Sequence, residues 1–251
     1  MIPNLILKVL SSMHEHRVRT LLMGGQACVF YGAAEFSRDT DLAILADAEN
    51  IARLRRALKA LQAGVIAVPP FHIRHLRSGL AVHFRCQHPE AAGMRVDIMA
   101  KMRGVEPFPK LWSRRTTIQL PDGTPCQLLS LPDLVLAKKT QRDKDWPMIR
   151  RLLEAHYFTH RDAPTPPQIR FWLREMRTPE LLIEIAQSHT PSCRRLTKER
   201  PLLAHAALGQ MQELEQALQA EETAEREKDR SYWLPLRAKL EKLRRSKPQT
   251  P

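Results

Sequence analysis

Two aspartates separated by one residue, Asp39 and Asp41, lie in the stretch SRDTDLAIL, just before an apolar run. Residues i and i+2 of a β-strand point to the same face, so on a strand the two carboxylates would converge. Carboxylates that close repel unless a cation lies between them, and a hard divalent ion such as Mg²⁺ takes oxygen ligands. The alternative is an acidic loop, because Asp-x-Asp is also common in turns. The pair alone leaves both interpretations open.

Two further features favour chemistry at this pair. A double glycine, Gly24 and Gly25, lies upstream between an apolar run and a predicted helix. Glycines there allow a backbone to approach phosphate oxygens, and a helix N-terminus favours negative charge. Asp97 lies inside the apolar stretch RVDIM, where a buried carboxylate is costly unless a partner such as a metal compensates it. If its strand neighbours that of Asp39 and Asp41, a third carboxylate joins them; the alternative is a solvent-facing aspartate at a strand end.

Strands and helices alternate in the first part of the chain. Apolar spacing and turn residues predict helix over 3–19 and 26–35, strand over 21–23 and 41–45, and a further helix over 48–61. Alternating apolar residues predict an antiparallel pair, 80–86 with 94–99, and a hairpin over 116–129 whose turn is Asp122-Gly123. These elements predict a small mixed sheet flanked by helices.

A basic helix is predicted next. Ser130, followed by Pro132 and Asp133, is typical of a helix start, and the helix would run to about residue 155 with Pro147 kinking or splitting it. Lys138 and Arg142 are four residues apart and would share one face of that helix. They could neutralise phosphate charge, or they could simply pair with the aspartates that follow.

The remainder of the chain reads as helix after the proline-rich connection 161–168. The sequence therefore predicts an α/β (α+β) fold in two domains, 1–155 with the sheet and 156–251 all-helical. Arg38, beside the first aspartate, is a candidate phosphate contact or a counter-charge to Asp39. The histidines lack metal-type spacing, and we assign none of them chemistry.

Composition limits the function classes. The 251 residues include 40 Lys and Arg against 27 Asp and Glu, a net charge of +13, and such a surface attracts polyanions, of which nucleic acid is the usual one. Solvated basic faces are the alternative. No apolar run approaches the roughly 18–20 residues that span a bilayer, and the N-terminus does not resemble a signal peptide. The four cysteines are scattered, as expected of buried thiols in a reducing compartment, so a cytoplasmic protein without membrane association is predicted.

The order of these motifs resembles the DNA polymerase β-like nucleotidyltransferase superfamily, and within it the bacterial minimal, AbiEii/MenT-like nucleotidyltransferases. The resemblance covers roughly residues 18–155. It departs from the family pattern at Thr40, where an apolar residue is usual, and at Gln26, where a small or hydroxylated one is. The matching motifs are MGG at 23–25, DTDL at 39–42, VDI at 96–98 and LPDLVLAKKTQRDKDW at 131–146.

The resemblance implies a polymerase β-like core that transfers a nucleoside monophosphate from an NTP to an acceptor hydroxyl and releases pyrophosphate. It implies Mg²⁺ or Mn²⁺ as the cofactor and RNA, most naturally tRNA, as the acceptor, with toxin-like activity and an antitoxin partner. The alternatives are transfer to a small molecule such as an antibiotic or to a protein hydroxyl, and a non-catalytic nucleic-acid-binding module. The implied catalytic and metal residues are Asp39, Asp41 and Asp97; the implied nucleotide-binding residues are Gly24, Gly25, Arg38, Lys138 and Arg142.

Overall fold

The computed structural model describes residues 4–246, which form two compact units. The first, called the sheet unit below, comprises residues 4–30, 34–137 and 232–246. The second, the helical unit, comprises residues 31–33 and 138–231. Within residues 4–246, no helix combines the length and the apolar character that crossing a membrane requires.

The sheet unit is built on one mixed sheet of seven strands in the part of the chain that the structure describes. In spatial order the strands are β3-β4-β5-β2-β1-β7-β6. The β2/β5 and β1/β7 pairs are parallel, and the other four pairs are antiparallel. In chain order the strands are β1 (Thr20–Met23), β2 (Asp39–Ile44), β3 (Gly64–Val65), β4 (Val82–Arg85), β5 (Arg95–Met99), β6 (Thr116–Gln119) and β7 (Pro125–Leu128).

Helices connect the strands and make up the helical unit. Those up to residue 138 are α1 (Asn4–Glu15), α2 (Gly24–Phe30), α3 (Ala48–Ala60), α4 (Ile73–Arg77), α5 (Phe108–Ser113) and α6 (Leu131–Lys138). The later ones are α7 (Asp145–His160), α8 (Pro166–Glu175), α9 (Pro179–Ser188), α10 (Thr190–Leu196), α11 (Leu203–Leu208) and α12 (Met211–Arg245). The prediction of a mixed α/β fold followed by a helical C-terminal region is confirmed.

The central strands separate an apolar face from a polar one. Leu42, Val96 and Ile98 are completely buried on one face of β2 and β5, and the residues between them point to the other face. Thr40 shares the apolar face and is fully buried. Its hydroxyl has no hydrogen-bond partner within residues 4–246. The functional candidates therefore lie on the opposite face of these strands.

The sequence-based strand predictions are confirmed. β4 and β5 form the expected antiparallel pair, and β6 and β7 form the expected hairpin around the Asp122-Gly123 turn. Ser130 immediately precedes α6, and its hydroxyl accepts a hydrogen bond from the backbone nitrogen of Asp133 at 3.4 Å. All four cysteines are buried and free, as predicted.

The helix predicted after Ser130 is split, as expected, but the predicted position of the split at Pro147 is wrong. α6 ends at Lys138, and α7 begins only at Asp145. Pro147 lies in the first turn of α7, where proline is tolerated, and the break precedes it. The intervening turn is held by side chains, since the Thr140 hydroxyl donates to Asp145 at 2.6 Å. The predicted domain boundary at residue 155 falls inside α7, whereas the two compact units divide at residue 138.

Candidate active site

The parallel pairing of β2 with β5 brings the predicted aspartates together. In this register Asp41 lies directly beside Asp97, and Asp39 lies directly beside Arg95. Because alternate residues share a face, all four side chains belong to the polar face of the two strands. β4 continues the row on the far side of β5, where His83 lies beside Asp97. The prediction that the Asp97 strand neighbours the strand of Asp39 and Asp41 is confirmed.

Asp97 is held by two neighbours on this face. Arg95 donates from Nε to Asp97 Oδ1 at 2.8 Å, and His83 Nδ1 lies 2.8 Å from the same oxygen. Arg95 Nη2 is also 3.1 Å from His83 Nδ1. A guanidinium only donates, so His83 Nδ1 either accepts from Arg95 or carries a proton and donates to Asp97. The three side chains form one hydrogen-bonded cluster.

The charges of this cluster keep Asp97 ionised. Burial alone would raise the pKa of the Asp97 carboxyl, which is 8 % exposed, but hydrogen bonds and positive charge from His83 and Arg95 outweigh it and hold the pKa below its usual value. The hydrogen bond to Asp97 raises the pKa of Arg95 against the effect of burial, and the negative charges of Asp97, Asp39 and Asp41 act in the same direction. One guanidinium therefore experiences all three carboxylates.

The first glycine of the pair makes room for a carboxylate. A Cβ on Gly24 would lie 1.9 Å from Asp41 Oδ2, and the φ of Gly24 is +67°, a conformation that other residues rarely adopt. The missing side chain thus places the Asp41 carboxylate against the backbone where β1 meets α2. The role predicted for Gly24 was an approach to phosphate; the contact in this structure is with the protein's own Asp41.

The second glycine makes room for the loop before β2. A Cβ on Gly25 would lie 2.7 Å from the hydroxyl of Ser37. That hydroxyl donates to the backbone carbonyl of Asp39 at 3.1 Å, which fixes the chain just as β2 begins. Arg38, between these two residues, is exposed at the same end of the strand. The double glycine is therefore the packing surface for the start of the aspartate strand.

Lys138 and Arg142 belong to the helical unit, and both contact Asp145. Lys138 Nζ lies 3.1 Å from Asp145 Oδ1, and Arg142 Nε lies 2.8 Å from Oδ2. Arg142 follows the end of α6, so the two cations do not share a helix face as predicted. Pairing with an aspartate that follows, the alternative weighed from the sequence, describes both residues. Their predicted contact with nucleotide stays a prediction.

Sequence reasoning did not single out Arg95, and it left His83 without a role. Arg95 precedes Asp97 by two residues, so the strand alternation that identified Asp97 already placed Arg95 on the same face. His83 has no comparable local signal, because only the β4/β5 register brings it to Asp97. The cluster thus adds one cation and one imidazole to the three predicted carboxylates.

The site offers oxygen ligands at one end of a sheet face. Asp39 and Asp41 are half-buried, and Asp97 is buried beside them. Within residues 4–246, no three His, Cys, Asp or Glu side chains are grouped as a complete metal-ligand set. Such a face can bind a cation through carboxylate oxygens, and it can orient a hydroxyl group through Asp97 or His83.

Sequence comparison assigns no family to the chain. No model of a known protein family matches it, and no match is found among curated proteins. The geometry of the carboxylate face is therefore the basis on which a function is inferred.

Proposed function

We propose that this chain is a metal-dependent nucleotidyltransferase with a polymerase β-like core, which moves a nucleoside monophosphate from an NTP to a hydroxyl group of an RNA acceptor. The observation that carries the proposal is the parallel register of β2 and β5, in which Asp41 lies beside Asp97 and Asp39 is two residues along the same face. Asp41 and Asp97 place like charges on neighbouring strands with Asp39 on the same face, and a fold that maintains such charges has a use for them.

The residues present fit a hard divalent cation such as Mg²⁺ or Mn²⁺. Asp39 and Asp41 would hold it through their carboxylate oxygens, and the low pKa of Asp97 keeps that carboxylate ionised and suited to be a ligand. When bound, the ion would neutralise the negative charge of the triphosphate and of the reaction's transition state. Arg95, which donates to Asp97 at 2.8 Å, would supply positive charge to phosphate oxygens bound at this face.

The reaction itself needs little covalent chemistry from the protein. The acceptor hydroxyl oxygen would form a bond to the α-phosphorus of the NTP, the bond to the bridging oxygen would break, and pyrophosphate would leave. Asp97 would orient the hydroxyl and receive its proton, with His83 as the adjacent group that accepts or returns it. Gly24 keeps the Asp41 carboxylate in position throughout.

The chain's charge supports RNA as the acceptor. A net charge of +13 attracts a polyanion and would repel a cationic antibiotic. A small molecule or a hydroxyl group of a protein is the alternative acceptor, and the transfer assay separates these classes. An antitoxin protein is a further proposed partner.

The test is label transfer with the full chain. Each NTP, labelled at the α-phosphate, is incubated with Mg²⁺, total tRNA and the protein, and label in RNA, in protein and in small molecules is measured separately. We expect label in RNA. Asp41→Asn should reduce the transfer rate about 10³-fold, because several kcal/mol of charge stabilisation are lost. Asp162→Asn, at an exposed position of the helical unit, is the matched control and should retain full activity.

The proposal is wrong if no NTP labels any acceptor while the protein is folded by circular dichroism. It is equally wrong if Asp41→Asn and Asp162→Asn transfer label at the same rate.

A further inference from the structure

The last helix divides its charge along its length. From Met211 to residue 231, α12 carries seven acidic and three basic residues; from Tyr232 to Arg245 it carries one acidic and five basic residues. Cations near a helix C-terminus complement the helix dipole, but that effect is confined to the last turn. Basic residues begin at Arg237, two turns before the helix ends. The dipole therefore does not account for the whole basic segment.

This basic segment packs beside α4 within the sheet unit. A Cβ on Gly79, just after α4, would lie 3.1 Å from the Tyr232 hydroxyl and 3.6 Å from Leu236 Cδ1. Leu236 therefore faces the body of the unit. Lys239 and Lys242 are exposed, and they add positive charge to the surface next to α4.

α4 contributes its own cations to the same surface. Arg74 and Arg77 are exposed, and the Nε of Arg77 donates to the backbone carbonyl of Ala46 at 3.0 Å. Burial lowers the pKa of His75, and the positive charges of Arg74 and Lys239 lower it further. Neither ring nitrogen of His75, which is 3 % exposed, has a hydrogen-bond partner within residues 4–246.

Six cations of this surface have no carboxylate partner within residues 4–246. We call this surface the basic patch; the residues without a carboxylate partner are Arg74, Arg77, Lys239, Lys242, Arg244 and Arg245. Uncompensated, exposed cations on two adjacent helices form a binding surface for a polyanion.

We propose that the basic patch binds the phosphate backbone of RNA. A membrane surface is less suitable as the partner, because an interfacial helix inserts a continuous apolar face, whereas in residues 232–245 Leu234 is a single exposed large apolar side chain. Here Leu236, Leu240 and Leu243 follow helical spacing on one side, Leu236 packs at Gly79, and the other two are half-buried. This inference rests on the proposed function only where it identifies the bound RNA as the acceptor; RNA binding itself requires neither NTP nor metal.

The experiment measures binding of total tRNA to the full chain without NTP or metal ion, at several salt concentrations. Arg74→Glu/Lys239→Glu reverses two charges of the basic patch, and Arg194→Glu/Lys198→Glu reverses two exposed charges of the helical unit as a control with the same change in net charge. We expect the patch variant to bind at least about tenfold more weakly and its salt dependence to fall by about two units of slope. The control should change affinity by less than threefold.

If both variants lose the same affinity for tRNA, the proposal that RNA binds at the basic patch is wrong, since net charge alone would then explain binding. Tighter binding to anionic phospholipid vesicles than to tRNA, lost in the patch variant, would assign the surface to membranes instead. Tighter binding to a DNA duplex than to tRNA would likewise overturn RNA as the ligand. If the glutamate variant does not fold, Arg74→Gln/Lys239→Gln should still weaken tRNA binding more than Arg194→Gln/Lys198→Gln. Because no NTP is present, failure of label transfer and failure of RNA binding are distinguishable results.

Discussion

The two units differ in the ratio of carboxylates to cations at their main charged clusters: carboxylates are more numerous on the sheet face, and cations are more numerous around Asp145. On the polar face of the sheet, Asp97 contacts Arg95 and His83, and Asp39 and Asp41 lie half-buried on the same face. In the helical unit, the single carboxylate of Asp145 accepts from Lys138, Thr140 and Arg142, and its side chain is only 3 % exposed.

The difference separates structural charge from functional charge. At Asp145 burial would raise the pKa, but the charge of Lys138, the hydrogen bond from Thr140 and the charge of Arg142 lower it, so the group closes the turn between α6 and α7. On the sheet the carboxylates exceed the cations, which costs stability unless a ligand supplies positive charge. A buried carboxylate matched by two cations supports the fold, whereas a group of half-buried like charges on one sheet face indicates a site.

Removing Asp145 gives the largest expected effect on stability. Asp145→Ala leaves Lys138, whose side chain is 8 % exposed, as a buried charge without its carboxylate. We expect the free energy of unfolding to fall by about 3–5 kcal/mol, the usual consequence of breaking a buried pair. Urea denaturation measures it. Asp39→Asn on the sheet is the contrasting variant and should change stability by about 1 kcal/mol or less in either direction, because it removes like-charge repulsion. Equal losses would contradict the distinction between the two regions.

A side chain at Gly24 is the next largest change. Gly24→Ala combines a positive φ with a Cβ only 1.9 Å from Asp41 Oδ2. Gly104 has nearly the same φ, +70°, with no atom within 4 Å of the added Cβ, so Gly104→Ala isolates the backbone strain. We expect about 1 kcal/mol of destabilisation at Gly104 and about 2–3 kcal/mol at Gly24, measured by urea denaturation. Label transfer should be lost only at Gly24. If both variants behave alike, Asp41 is not positioned by this glycine.

Acid should weaken the helical unit through one neutral histidine, the smallest of the three effects. Burial lowers the pKa of His156 from 6.5 to about 4, and the charge of His160 adds to this. His156 Nδ1 accepts from Trp172 Nε1 at 2.8 Å, a bond that requires the neutral ring. Because the folded pKa is the lower one, this stabilisation is complete above pH 6.5 and is lost as the pH falls from 6.5 toward 4.

Between pH 7 and 4.5 the free energy of unfolding should fall by about 1–3 kcal/mol less in His156→Gln than in the parent protein. Glutamine can accept the same hydrogen bond without titrating. Urea midpoints at pH 7, 5.5 and 4.5 measure it. His14→Gln, at an exposed position, is the control. A variant that loses stability with acid as steeply as the parent would show that His156 is not the titrating group.

The local sequence pattern predicts which aspartates lie on the sheet face. It does not predict the contacts that those aspartates make with other parts of the chain. Strand alternation placed Asp39 and Asp41 on one face and identified the strand of Asp97, because these signals lie within a few residues. The direct pairing of Asp41 with Asp97 depends on register between strands that are far apart in the sequence, and the role of Gly24 depends on that same assembly.

The break after Lys138 was missed for a similar reason. Pro147 is a visible helix breaker, but the chain leaves the helix earlier, where the backbone nitrogen of Gln141 donates to Asp229 at 2.9 Å. That partner lies 88 residues away along the chain. No periodicity around residues 131–155 contains this information, so helical spacing extended one helix across what is a turn.

Arg95 has a consequence for how the protein folds when no metal ion is bound. Its guanidinium is an internal counter-ion, which supplies to Asp97 the positive charge that an incoming cation would otherwise have to bring. The newly synthesised chain can therefore fold without metal. For the proposed metal-dependent activity, we expect a chelator to stop label transfer without unfolding the protein or exposing it to proteolysis. On this view the supply of metal controls how much of the protein is active, and leaves unchanged how much of it exists; an unfolding midpoint that a chelator does not shift is the corresponding observation.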